Sequence, residues 1–375
     1  MKKQKILELT NYSSGICGVF ARVREEAVRL SNLGNEVIIF SSNLVKGNDK
    51  EKAKSEDKIE NVKIRRFLAM KLGGESFMSW NFKKEALKYR PDIIICHSYR
   101  HLHTLSALKL KKELKCKVFL VTHAPFVDKR TRGFVNNIIT SIYDFTVGKV
   151  TINEFDKVIA ITKWEYPFLA RLGVKKEKIE YIPNGIPEDF FRKRKKKKEK
   201  EENKILFLGR ISPIKDIETL ILSLNYIKDK TLKLEIVGPA EQNYLVKLKK
   251  LIKDNNLQNR ITFTGAIFEV KKKINKIDSA KIFVLPSKRE SMPQSLIEAM
   301  AREKIVIASD NLGARDLIQN EKNGYLFKIG DSRDLAYKID KALKDKNTSK
   351  IKKQAIESVE QFSWDKVIKK IEGLM

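Results

Sequence analysis

Two glutamates, Glu290 and Glu298, stand with seven residues between them in the stretch PSKRESMPQSLIEAMA, directly after an apolar run. A carboxylate pair can work as acid and base, or can hold the hydroxyls of a ligand. Ser291 followed by Gln294 has the pattern of a capping box, which predicts a helix from about Met292, with Glu290 in the loop ahead and Glu298 nearly two turns inside. At 1.5 Å per residue the carboxylates are then about 10 Å apart. That is too wide for a retaining glycosidase pair, at roughly 5 Å, and marginal for an inverting one. It suits two ends of one elongated ligand, although an acid ahead of a helix and a glutamate on its surface are also ordinary.

In FLGRISPIKD, Gly209, Arg210 and Lys215 follow another apolar run. Glycine lets a ligand approach the backbone, and a guanidinium fork with an ammonium beyond it suits phosphate. The same residues also fit a solvated turn in a lysine-rich chain. His97, His101 and His103 cluster in HSYRHLH, but only Cys96 adjoins them and their spacing is not that of structural zinc, so the expectation is a ligand-facing histidine and no metal. His123, ending VFLVTH, could hydrogen-bond a ligand or cap its strand. Gly15 and Gly18 flank Ile16 and Cys17 in SSGICGVF. This lacks G-x-G-x-x-G, and no acid closes IIFSSN, which argues against a nicotinamide cofactor and leaves some other ligand at a helix N-terminus open.

The elements that must carry these residues are short runs of Ile, Val, Leu and Phe. KILELT, EVIIFSS, VKIRRF, DIIICHS, KVFLVTHA, KVIAIT and IEYIPNG alternate with helical spacing such as VFARVREEAVRLSNLG, ended by Gly34. Such β-α-β alternation implies a parallel sheet covered on both faces, with ligands outside the carboxyl ends of its strands. Eleven consecutive charged residues follow, Arg192 to Glu202, and read as a solvated connector. The alternation then restarts with KILFLGR, LKLEIVG, ITFTG, KIFVLPS, KIVIASD and NGYLFKI. The last helix has Ser363 as its cap candidate.

A length of 375 residues favours two domains, and 42% hydrophobic residues permit two cores. Three unpaired cysteines, Cys17, Cys96 and Cys116, fit a reducing cytosol. Glu8 interrupts the first apolar run, so no signal peptide is expected, and no stretch is long enough to span a bilayer. The net charge of +30, from 77 basic and 47 acidic residues, favours polyanions or anionic surfaces.

Taken in order, these motifs resemble the family 4 (group 1) glycosyltransferases, retaining enzymes of the GT-B fold. The resemblance runs from the glycine loop before FARVREEAVRLSNLGNEV, through PDIIICHSY, VTHAP, VIAITKWEYPFLARLGV and YIPNGI, to FLGRISPIKDIETLI, LEIVGPA, ITFTGAI, LPSKRESMPQSLIEAMA and NEKNGYLF. It implies an α/β chain of two doubly wound Rossmann-like domains facing across a cleft. An acceptor-binding domain would span 1–190, a charged linker 191–203, a nucleotide-sugar domain 204–350, and helices at 351–375 would return to the first domain. It further implies that Gly209, Arg210 and Lys215 hold the donor diphosphate, that Glu298 takes the ribose hydroxyls, and that Glu290, with backbone at Ser291 and Met292, holds the sugar. The Gly15 to Gly18 loop would close over the phosphates, and His123 would contact the sugar near its reacting carbon.

The donor would be a UDP- or GDP-sugar of hexosyl type, and the acceptor a sugar or a lipid-linked sugar of cell-surface polysaccharide or glycolipid. No cofactor is expected. A diphosphate leaving group needs charge stabilisation, which fixed cations supply, and no D-x-D pair closes a strand, so transfer is expected to be metal-independent. Two departures stand out. Pro293 removes one backbone donor where the family often has E-G-F-G, and Arg315 in LGARD has no evident partner. The alternatives are a GT-B nucleotide-sugar epimerase and a basic nucleic-acid-binding protein; the lysines, mixed with glutamates, lack the interleaved aromatics of the latter. Basic helices such as ALKLKKELK, 107–115, suggest a cytoplasmic protein peripheral at the inner membrane face.

Overall fold

The computed structural model describes residues 3–126, 133–192 and 201–375. By its internal contacts the chain divides into two compact units, Met1–Asn184 with Val367–Met375, and Gly185–Lys366. The division falls at Asn184, ahead of the expected 190. Most of the charged connector, 193–200, lies outside the described residues.

Beside two small two-stranded sheets, the main sheet of the first unit has eight strands: β1 Lys5–Thr10, β2 Glu36–Ser42, β3 Glu56–Ile59, β4 Val62–Phe67, β5 Ile93–His97, β6 Lys117–Val121, β7 Lys157–Ala160 and β8 Ile179–Tyr181. They lie in the order β8-β7-β6-β5-β1-β2-β4-β3. All neighbours are parallel except the β3/β4 pair. The apolar runs become these strands because both sheet faces are covered; Ile93, Ile94, Ile95 and Cys96 of β5 are all buried.

Helix α1, Gly18–Asn32, follows β1 and ends as its glycine predicts, with Gly34 at φ +94° and its N–H on Ser31 O at 2.9 Å. Helix α2, Leu102–Leu114, buries Ala107, Leu108 and Leu110, while Lys111 and Lys112 reach Asp156 and Glu154 at 2.8 and 3.1 Å. Its apolar face therefore belongs to the core. Helix α3, Phe134–Tyr143, buries none of its residues.

The second unit repeats the scheme with β9 Glu202–Leu208, β10 Lys233–Val237, β11 Ile261–Gly265, β12 Ala280–Leu285, β13 Ile305–Ser309 and β14 Tyr325–Phe327, all parallel in the order β11-β10-β9-β12-β13-β14. Helix α4, Gln294–Ala301, lies between β12 and β13 in sequence. Helix α5, Trp364–Glu372, starts at the expected cap, Ser363 Oγ accepting from Lys366 N at 3.3 Å. Only Val367–Met375 joins the first unit; 351–366 groups with the second, so the expected return of 351–375 is divided.

Candidate active site

In the second unit, Gly209, Arg210 and Lys215 lie in the loop after β9. A Cβ on Gly238 would fall 1.8 Å from Gly209 O, at φ +151°, so this loop can rest against the end of β10 only because position 238 is glycine. The loop's Lys215 Nζ meets Glu290 Oε1 at 2.5 Å, and both side chains are largely shielded. Residues 75 apart in sequence thus form one charged pair. Arg210 is exposed, 4.0 Å from Glu241 Oε1.

The Glu290 loop is itself fixed from below. A Cβ on Gly313 would come within 2.7 Å of the carbonyl oxygens of Glu290 and Ser291, and Asn311 Nδ2 donates to Ser287 O at 2.9 Å. Arg315 is paired with Asp310 through Nε and Nη2 at 2.5 and 2.7 Å, which accounts for the basic residue that lacked a partner in sequence.

Helix α4 corrects the capping expectation. It begins at Gln294, with Pro293 as N-cap at φ −75°, ψ 94° and no side-chain cap bond, so Ser291 does not form a capping box. The residue before a proline avoids the helical region, which bars a start at Met292. Glu298 is consequently four residues past the first helical position, a rise of about 6 Å. It is buried, and its Oε1 accepts from Lys273 Nζ at 2.8 Å while Oε2 has no partner. Burial raises its pKa, and the ammonium of Lys273 works against that rise. Sequence reading missed Lys273 because VKKKINKI offers four equivalent lysines; only the fold selects one.

In the first unit the Gly15 to Gly18 loop precedes α1. Gly15, at φ +80°, forms a bridge with Lys46, whose carbonyl a Cβ would approach to 2.3 Å. Gly18 is the first residue of α1 and faces open space.

Of the four histidines, His101 and His103 bond backbone carbonyls, of Ser98 at 3.2 Å and His97 at 2.8 Å. The other two form a buried relay: Glu8 Oε2 to His97 Nε2 at 2.7 Å, then His97 Nδ1 to His123 Nε2 at 2.9 Å. His123 sits beyond β6 with φ +58°, a left-handed conformation that the bond to His97 helps to hold. Burial drives the His97 pKa down to about 4 and that of His123 well below its ordinary value, while it lifts Glu8 well above the carboxylate range. Both rings are therefore neutral at pH 7, and burial works against the ionised form of Glu8. A protonated Glu8 donates to His97 Nε2, His97 then donates from Nδ1 to His123 Nε2, and the His123 proton is left on Nδ1.

The acids absent from the histidine cluster in sequence are supplied by β1 and α1. Ligand atoms of Glu8, Glu26 and His97 all lie within 4.8 Å of one another. Arg22 occupies the same core, with its Nε on Glu26 Oε2 at 3.0 Å, and brings a fixed positive charge to the place a cation would take. The one sequence signal for Glu8 was its position, a lone acid at the centre of a strand buried on both faces.

Two parallel-sheet units of this kind in one chain make up the GT-B architecture. A model for "Glycosyltransferase Family 4" matches residues 16–190, and one for "Glycosyl transferases group 1" matches 189–359. The chain belongs to the family 4 glycosyltransferases. An uncharacterised glycosyltransferase of Methanocaldococcus jannaschii is 28% identical over 98% of this chain and 97% of its own length. An N,N'-diacetylbacillosaminyl-diphospho-undecaprenol alpha-1,3-N-acetylgalactosaminyltransferase of Campylobacter jejuni is 25% identical over 57% of this chain and 58% of its own. Among solved structures, Anabaena HepE in complex with UDP and glucose superposes with a TM-score of 0.75, at 17% identity over 99% of this chain and 98% of that one.

Proposed function

We propose that this glycosyltransferase moves a hexosyl unit from a UDP- or GDP-sugar to the hydroxyl of a sugar or lipid-linked acceptor, with retention and without a metal ion. The observation that carries the donor reading is Glu298: a buried carboxylate with Oε1 fixed by Lys273 and Oε2 unpartnered awaits a hydroxyl donor. A ribose supplies two. Lys215 pairs with Glu290 in the absence of ligand, and a donor would divide them, the ammonium turning to the diphosphate and the carboxylate to sugar hydroxyls. Gly209 lets the backbone approach the phosphate oxygens, and Arg210 adds the second cation. Cations placed where the leaving diphosphate gains charge lower the barrier without reorganising. Ser291 and Met292 orient the sugar, and His123 meets it near the reacting carbon. Retention follows from the family resemblance.

HepE's capture with UDP and glucose, and the undecaprenol-linked acceptor in the name of the Campylobacter relative, support the substrate classes. The epimerase and nucleic-acid readings gain no support from these likenesses. No helix among the described residues is long and apolar enough to cross a membrane; we place the enzyme in the cytoplasm, peripheral at the inner membrane face.

A thermal-shift panel of nucleotide-sugars and oligonucleotides tests this. UDP- or GDP-sugars stabilise the chain, oligonucleotides do not, and EDTA changes neither binding nor turnover; an EDTA-sensitive turnover restored by a divalent ion would refute metal independence.

The relay gives a second, pH-dependent test. Glu8 is faced by Arg22 and Glu26 of α1 and by His97 and Cys96 of β5. Because burial raises its pKa, it holds its proton to higher pH than an ordinary carboxylate and loses it as pH rises. Ionised Glu8 then accepts from His97, the sequence of bonds reverses, and the His123 proton leaves Nδ1 for Nε2. Glu8→Gln keeps a donor at this point, so its turnover at pH 7 stays within about three-fold of the parent while the alkaline limb of the kcat profile disappears. An unchanged alkaline limb would show that Glu8 does not set the His123 tautomer.

A further inference from the structure

Among the described residues of the first unit, helix α3 is the one long helix that leaves its apolar face out of the core. None of Phe134–Tyr143 is buried. Phe134 is 79% exposed, Val135 66%, Ile142 58%, and Phe145 in the turn beyond 71%. At 100° per residue Phe134, Val135, Ile138, Ile139 and Ile142 share an arc of about 140°, with Asn136, Asn137, Thr140 and Ser141 outside it. The stretch GFVNNIITSIY also holds no charge, in a chain where 33% of residues are charged and a segment of that length would ordinarily carry three or four. Solvation alone does not produce such a surface.

The base of the helix is rigidly held. It runs into a π turn, Asp144–Gly148, where Asp144 takes Arg100 Nε and Nη2 at 2.8 and 2.6 Å and Tyr99 Oη at 3.1 Å. A Cβ on Gly148 would strike the Tyr99 hydroxyl at 2.2 Å, so the close approach that anchors the turn requires glycine. Beside it lies a cavity of about 280 Å³. Phe126 and Phe168, stacked at 5.3 Å, line it, and Arg100, Lys149 and Arg171 outnumber the single acid, Asp144. From α3 itself the cavity is lined by Asn137, Thr140 and Ser141, so the polar side of the helix turns to the pocket and the apolar arc is left outside it.

We infer that the apolar face of α3 is an interfacial anchor that lies on an anionic lipid bilayer. This deepens the membrane clause of the proposed function and rests on it. Charge decides among occupants. A chain of net +30 repels a second copy of itself and is drawn to an anionic surface, and an amphipathic helix with bulky apolar residues on one side is suited to the boundary between head groups and acyl chains. Helix α2, with its apolar face in the core, is not suited.

The experiment is co-sedimentation of the full chain with vesicles of phosphatidylcholine alone or with about one-third phosphatidylglycerol. The parent partitions to the anionic vesicles and is released by salt. Ile138→Asp with Ile142→Asp, and separately Phe134→Ser, lower the partition at least ten-fold with circular dichroism unchanged. Lys109→Ala in α2 leaves it as it was. A parent that ignores anionic vesicles, or variants that bind as the parent does, would overturn the inference. So would a dimer in sedimentation velocity that the Ile138 and Ile142 changes dissolve, which would assign the face to a second copy. Stabilisation by nucleotide-sugar is read on the same samples: its retention in the variants separates loss of the anchor from failure of the transferase reading.

Discussion

Glu298→Ala is expected to lose the thermal stabilisation that a nucleotide-sugar gives the parent. The Glu298 carboxylate is buried, only 5% exposed, and one of its oxygens is bonded by Lys273, so it gains little from water when ligand leaves. A hydrogen bond to a charged group contributes about 1.5–3 kcal/mol, and two ribose hydroxyls together make the loss about 10²-fold or more in affinity. Glu298→Gln, which keeps an acceptor of the same length without the charge, falls between. Lys273 is partly exposed and can relax into solvent in the alanine variant, so folding should survive. A full shift in the alanine variant would remove Glu298 from the donor site.

Lys215→Ala is expected to act on turnover more than on binding. The ammonium stands against Glu290, and in the proposed reaction it would act as the diphosphate departs with increased charge. Removing one such preorganised donor costs about 10²–10³ in kcat, with the KM for donor changing less. Lys215→Arg should not restore the rate, since a planar fork cannot occupy the place of a point charge held 2.5 Å from a carboxylate. A kcat within about three-fold of the parent would assign the leaving group to Arg210 alone.

Much of the fold was legible because buried parallel strands announce themselves as unbroken apolar runs. All thirteen runs read from the sequence correspond to strands. The strands that escaped are short ones outside these runs; Glu56–Ile59, for one, is an antiparallel edge of the main sheet whose residues, EDKI, have no buried face to mark them. The helix before Glu298 was placed two residues early because a cap pattern of Ser and Gln outweighed the backbone restriction that Pro293 puts on its predecessor. The loops that carry Lys215, Glu290 and Glu298 could be read from sequence, but the pairings made there could not: Lys215 with Glu290 and Lys273 with Glu298 join residues 75 and 25 apart. The Glu8–His97–His123 relay was hidden for a related reason. Its members are separated by 89 and 26 residues and meet only because β1 lies beside β5, and β5 beside β6.

The division of the chain has a bearing on how the protein is made. The first unit includes Val367–Met375, in which Val367 and Ile371 are fully buried, Lys370 lies over the Tyr181 ring and Lys117 reaches the backbone of Met375. Chains emerge from the ribosome N-terminus first and ordinarily fold domain by domain in that order. Here the first 184 residues must wait, with part of their apolar surface uncovered, until the whole second unit has been translated. The unit begun first is completed last, and nascent chains interrupted anywhere before residue 367 are open to premature association.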